Sequence, residues 1–197
     1  MRKGGEVIGD IRGNFRGNGA RSRVHRTACM ARCLALGLAL LGACTPTYNW
    51  RELELAGGIV HAAFPSRVET DTRDIQLAGQ KLPFSLTSAR VGDAVFAVGH
   101  APLPVAVAGD PSAQRDLATA LVRALHENLH AMPPATAPAY GTDIEVRGQA
   151  GGRPVWALAR VWVQGGLLVE AVATGSEQGL PADPAREFVH SLRVRDR

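Results

Sequence analysis

Residues 154–173 read PVWALARVWVQGGLLVEAVA. Two apolar runs, 154–163 and 167–173, flank Gly165-Gly166, a pair suited to a two-residue hairpin turn. The first run is apolar on both faces except for Arg160. A strand of that kind needs cover on each side of its sheet, and helices supply such cover. This hairpin therefore predicts an α+β protein: an antiparallel β-sheet covered by one long and one short helix.

Upstream, the period-two pattern continues. Strands are expected at 59–64, stopped by Pro65, at 68–77, at 82–90 and at 94–99, with turns at Ala78-Gly79 and Gly92-Asp93. Pro102 and Pro104 close this series. Asp110-Pro111 opens the long helix as N-cap and first helical residue. Leu117, Leu121, Leu125 and Leu129 recur every four residues and give it one apolar face, and Pro133-Pro134 ends it. Another strand is expected at 142–147. The chain closes with a short helix, capped by Asp183 with Pro184 as first residue, that packs through Phe188 and Leu192.

The chain has 197 residues, with 22 basic and 18 acidic side chains. The net charge of +4 is unevenly placed. Residues 1–43 hold eight of the basic and two of the acidic side chains, so the leader is +6 and the remainder −2. The basic footprint that nucleic-acid binding requires is thus missing from the folding part, and no nucleic-acid partner is expected.

Residues 33–43, CLALGLALLGA, carry no charge. Eleven residues are too few to cross a bilayer, which takes about 20. They suit the apolar region of a secretory signal, with Arg32, Arg26 and Arg23 as its basic flank. The run ends in Leu41-Gly42-Ala43-Cys44, which resembles the lipobox of bacterial lipoproteins. Small residues let the backbone lie extended in a peptidase cleft, and the thiolate can accept a diacylglyceryl group. The resemblance implies that cleavage leaves Cys44 as an acylated N-terminus. Cys29 and Cys33 precede the cut, so Cys44 is the sole cysteine of the processed chain and has no intramolecular disulfide partner. The expected organisation is an over-long gene start or disordered basic segment at 1–29, a signal peptide at 30–43, a lipidated tether at 44–52 and a single α+β domain at 53–197.

CTPTYNWR at 44–51, Phe64-Pro65-Ser66, Phe96-Ala97-Val98-Gly99 and Phe188 with Ser191-Leu192-Arg193 resemble segments of small uncharacterised proteobacterial lipoproteins. Ser66 departs from the glycine at that step in the family. More loosely, the element order is similar to the PsbP-like α/β/α sandwich. Neither likeness implies a catalytic residue. They imply a lipid-anchored protein facing the periplasm, at the outer membrane because Thr45 rather than Asp follows the cysteine.

One chemical motif competes with this non-catalytic reading. His126-Glu127-Asn128-Leu129-His130 matches the zinc-peptidase pattern H-E-x-x-H, in which two histidines on one helical face ligate zinc and the Glu activates water. With Leu117, Leu121 and Leu125 facing inward, however, His126 and His130 are expected on the solvated face beside Arg123 and Glu127. Glu145, Glu170 and Glu187 are the distant candidates for a third ligand, and nothing selects one. No metal site and no cofactor is therefore expected. Trp156, Leu158, Arg160 and Trp162 share one strand face; they either line a pocket for an anionic ligand, as in a periplasmic carrier, or pack under a helix with Arg160 reaching the rim. Ser176 and Ser191 lack the setting of a nucleophile. The expected partner is the membrane, through the N-terminal lipid.

Overall fold

The computed structural model describes residues 47–136 and 138–196. Its centre is the hairpin of β7 (Arg153–Gln164) and β8 (Leu167–Gly175), paired from Trp156↔Gly175 to Gln164↔Leu167. Gly165 and Gly166 take φ of 61° and 77°. Both lie in the left-handed region that the tightest hairpin turns demand and that glycine enters at no steric cost.

Around this hairpin the sheet grows outward by short antiparallel connections. On one side β6 (Ile144–Ala150) pairs with β7. On the other, β5 (Ala94–Pro102) pairs with β8, then β4 (Gln80–Val91), then β3 (Val68–Leu77). The six-stranded order is β3-β4-β5-β8-β7-β6. Edge strand β3 is polar and almost wholly exposed, as its sequence predicts. Central β8 is buried on both faces for most of its length.

Each face of this sheet carries a core. A short turn of helix, α1 (Val105–Ala108), leads into the long helix α2 (Pro111–Asn128). The Asp110 side chain accepts from the Ser112 and Ala113 amides, as the N-cap reading requires. Leu117, Ala118, Leu121 and Val122 of α2 pack with Leu82, Phe84, Val161 and Leu168 of the sheet. On the opposite face lie α3 (Ala182–Ser191) and a small second sheet of β1 (Arg51–Leu55), β2 (Val60–Phe64) and β9 (Arg193–Val194), in the order β1-β2-β9. Phe64 and Phe188 meet edge-to-face at 5.4 Å, as do Phe96 and Phe188, at the centre of this second core. The α+β architecture is the expected one, with a helix on each side.

Four local expectations need correction. The strand at 59–64 does not join the main sheet: β2 pairs with β1 and β9, two strands that the periodicity did not reveal because one is charged and the other spans two residues. Of residues 47–52, read as part of a tether, Tyr48 and Trp50 pack on the body and Arg51 and Glu52 begin β1, while Thr47, Asn49, Arg51 and Glu52 are exposed. Tyr48 and Trp50 stack at 5.8 Å and both meet Phe96 edge-on, and the Asn49 amide donates to the Pro65 carbonyl. Helix α2 ends at Asn128, before Pro133-Pro134. Helix α3 starts at Ala182 with Pro181 at its cap position and no side-chain cap, so Asp183 and Pro184 lie inside its first turn. Asp183 there still meets the positive end of the helix dipole. Among the described residues no helix is long and apolar enough to cross a membrane.

Candidate functional site

A groove of about 460 Å³ opens where β6, β7 and the first turns of α3 converge. Strand alternation builds it. Ile144 and Val146 of β6 point into the core beneath α2, so Asp143, Glu145 and Arg147 face the other way. Trp156 and Leu158 of β7, with Leu180 from the loop before α3, form a buried apolar floor. The Trp156 indole Nε1 donates to the Leu180 carbonyl at 3.1 Å, which satisfies the one polar atom of the ring and ties that loop to the sheet. Arg147 pairs with Glu145 at 2.9 Å and also with Glu177, and Arg186 stands on α3 across the opening.

At one end of the groove Asp143, Arg160 and His190 join three elements. Arg160 Nε donates to Asp143 Oδ1 at 2.5 Å, and His190 Nε2 lies 3.0 Å from Asp143 Oδ2 and 2.6 Å from an Arg160 terminal nitrogen. Partial burial raises the Asp143 carboxyl, but the bonds from His190 and Arg160 outweigh it and hold the group below its ordinary value. His190 Nε2 faces both a donor and a carboxylate. It donates to Asp143 when Nε2 carries a proton and accepts from Arg160 when it does not.

The strand face of Trp156, Leu158, Arg160 and Trp162 is thus divided. Trp156 and Leu158 floor the groove, Trp162 packs at the edge of the second core, and Arg160 reaches the rim as an ion-pair partner. Ser176 and Ser191 lie outside the groove lining, each with its hydroxyl in a local hydrogen bond. Ser191 Oγ donates to the Phe188 carbonyl at 2.7 Å and accepts from the Ala63 amide at 3.0 Å. Ser176 Oγ accepts from the Gly179 amide and bonds Asp93, whose carboxyl is held below its usual range by that bond. The groove itself presents an apolar floor and a rim of arginines and carboxylates.

The H-E-x-x-H segment is placed differently from the expectation. His126 is buried, and its Nδ1 donates to the Val122 carbonyl at 2.8 Å. The inward face of α2 is centred between the Leu117–Leu121 and Ala118–Val122 rows, and His126 continues the second row. Leu125 is correspondingly only half-buried. His130 lies beyond the helix, exposed, with φ of +51°. The single helical face that zinc ligation needs from both rings is therefore not formed. Glu145 lines the groove, Glu187 is exposed on α3, and Glu170 is buried on β8. Among the described residues no three His, Cys, Asp or Glu side chains gather to hold a metal ion. Cys44 lies outside the described residues.

Glu170 is a different kind of exception. It sits opposite Gly99 and Val161 in the sheet, one of its carboxyl oxygens is buried without a hydrogen-bond partner, and burial pushes the group up to about 7. Neither this property nor the roles of Asp143, His190 and Arg147 follow from local sequence. The one available signal was a lone Glu inside the apolar run LLVEAVA.

No protein-family model matches the sequence, and no curated protein matches it. Among solved structures, the fold is similar to the solution structure of cyanobacterial PsbP (CyanoP) from Synechocystis sp. PCC 6803. The identity is 11%, the TM-score 0.41, and the match covers 79% of this chain and 99% of that one.

Proposed function

We propose that the protein is a lipid-anchored component of a bacterial cell envelope, non-catalytic, held through acylated Cys44 and facing the periplasm, at the outer membrane of a double-membrane cell. The observation that carries this reading is Leu41-Gly42-Ala43-Cys44 at the end of an uncharged eleven-residue run with arginines before it. The packing of Tyr48 and Trp50 is compatible with it: the folded body begins within four residues of the anchoring thiol. Each buried CH₂ of an acyl chain contributes about 0.8 kcal/mol, so the two or three chains of a bacterial lipoprotein hold firmly where one is marginal. Replacement Cys44→Ala is expected to move the protein from the membrane to the soluble fraction on cell fractionation. Membrane retention equal to wild type overturns the reading.

The groove favours a second role on the same body, that of a carrier or sensor of a small amphipathic ligand. Its support is the apolar floor of Trp156, Leu158 and Leu180 beneath Arg147 and Arg186. A ligand that fits raises the melting temperature in a thermal-shift screen, and Arg147→Ala with Arg186→Ala abolishes that rise. A rise of the same size in the double variant sinks this role.

A further inference from the structure

A second hollow, of about 610 Å³, lies where β3 begins and β4 ends. Arg67, Glu69, Ser88 and Arg90 line it together with Ser66. Both arginines are exposed, and among the described residues neither makes an ion pair. Ser66 Oγ donates to the Arg90 carbonyl at 2.9 Å, which fixes the two backbones that carry them side by side. The hollow also adjoins the place where the chain enters the fold. The Asn49 amide donates to the carbonyl of Pro65, the residue just before Ser66, at 2.8 Å. Thr47 follows Cys44 by three residues, a stretch that spans about 10 Å at most.

We propose that the hollow between Arg67 and Arg90 takes the phosphate of an anionic phospholipid headgroup, so that this corner of the sheet lies against the bilayer. This rests on the anchored reading above. Acylation at Cys44 keeps the entry point near the headgroups, and Arg67 and Arg90 lie beside it, next to the Pro65–Ser66 step that Asn49 bonds. Two guanidiniums with Glu69 leave one net positive charge for a phosphodiester, their N–H forks fit its oxygens, and the Ser88 hydroxyl adds a donor. Glu69 opposes them and sets the sign of one test. The site orients the body that the lipid alone would leave free to swivel.

The experiment uses the full chain carrying Cys44→Ala, so that acyl chains do not set the affinity, with vesicles of phosphatidylglycerol and phosphatidylcholine. The basic leader is common to every variant. Each arginine near an anionic surface is worth about fivefold in binding, so Arg67→Gln with Arg90→Gln is expected to weaken association about 25-fold. Removal of two arginines elsewhere, Arg73→Gln with Arg123→Gln, costs less than threefold. Glu69→Gln tightens binding several-fold, an effect no misfolded variant produces. Vesicles of phosphatidylcholine alone show none of these differences. Equal losses in the two arginine pairs, or an unchanged Glu69→Gln, overturn the proposal. Displacement of the vesicles by inorganic phosphate at low millimolar concentration, in the parent Cys44→Ala chain but not in its Arg67/Arg90 variant, also overturns it, because the ligand is then free phosphate. Mass spectrometry of Cys44 in the wild-type protein reports on the anchor separately, so the two readings fail on different measurements.

Discussion

Glu170 is the residue at which the fold departs furthest from what a core tolerates. A carboxylate in apolar surroundings without a partner loses its hydration and regains nothing, so the folded state holds the proton up to about pH 7 while the ordinary value is 4.5. Folded protein then binds more protons than unfolded protein between those values, and stability falls as pH rises through that window. His100, lowered by burial, acts in the opposite direction, adding stability as pH rises toward 6.5. Comparison with a variant isolates the glutamate. Glu170→Gln mimics the protonated acid at every pH, so urea unfolding is expected to show it gaining on wild type by a few kcal/mol between pH 5 and pH 8. A difference between variant and wild type that stays constant over that range counts against a proton held at Glu170.

The elements meet at joints that local pattern does not encode. The end of α2 is pressed onto β6: the Leu129 carbonyl accepts from the Gln149 amide at 2.7 Å, and a Cβ on Gly148 would stand 1.9 Å from that same oxygen. Backbone faces backbone there, with no flexible side chain to give way. Gly148→Ala is expected to cost more than about 2 kcal/mol in chemical denaturation, far above the few tenths that an exposed strand position shows. An effect below 0.5 kcal/mol, as an order-of-magnitude bound, means the joint yields freely.

The same contrast explains what could be read beforehand. The 154–173 hairpin, the Asp110 cap and the turns at 78–79 and 165–166 were legible because each rests on residues adjacent in the chain. The side on which His126 falls was not. It depends on the exact rotation of α2 over the sheet, about one residue step away from the Leu117–Leu125 row. The groove was legible only in its floor, Trp156 and Leu158, because its walls come from Glu177 and Arg186, distant in sequence. β1 and β9 escaped because charged RELEL and the two residues Arg193-Val194 become strands only by pairing with β2.

At the scale of the whole molecule, the two ends of the described chain share one small sheet. β2 lies between β1, near the start, and β9, at residues 193–194, and the Arg195 amide donates to the Ile59 carbonyl at 2.9 Å. Truncation after Leu192 removes β9 and uncovers Val60, which is fully buried in the intact fold. The melting temperature is expected to drop by several degrees, as a loss of 1–2 kcal/mol does in a domain of roughly this size. An unchanged transition shows that β2 needs no partner on that side.

That closure has a consequence for synthesis. In the order of synthesis Phe188, at the heart of the second core, and the strand that seals β2 come after the six strands of the main sheet, while Tyr48 and Trp50, which pack on the same core, come before them. A nascent chain therefore carries its aromatic entry segment without its full seat until residues 188–194 have been made. Under the proposed anchored reading, an export channel that accepts only unfolded polypeptide meets, for most of that interval, a chain that has no finished structure to resist it.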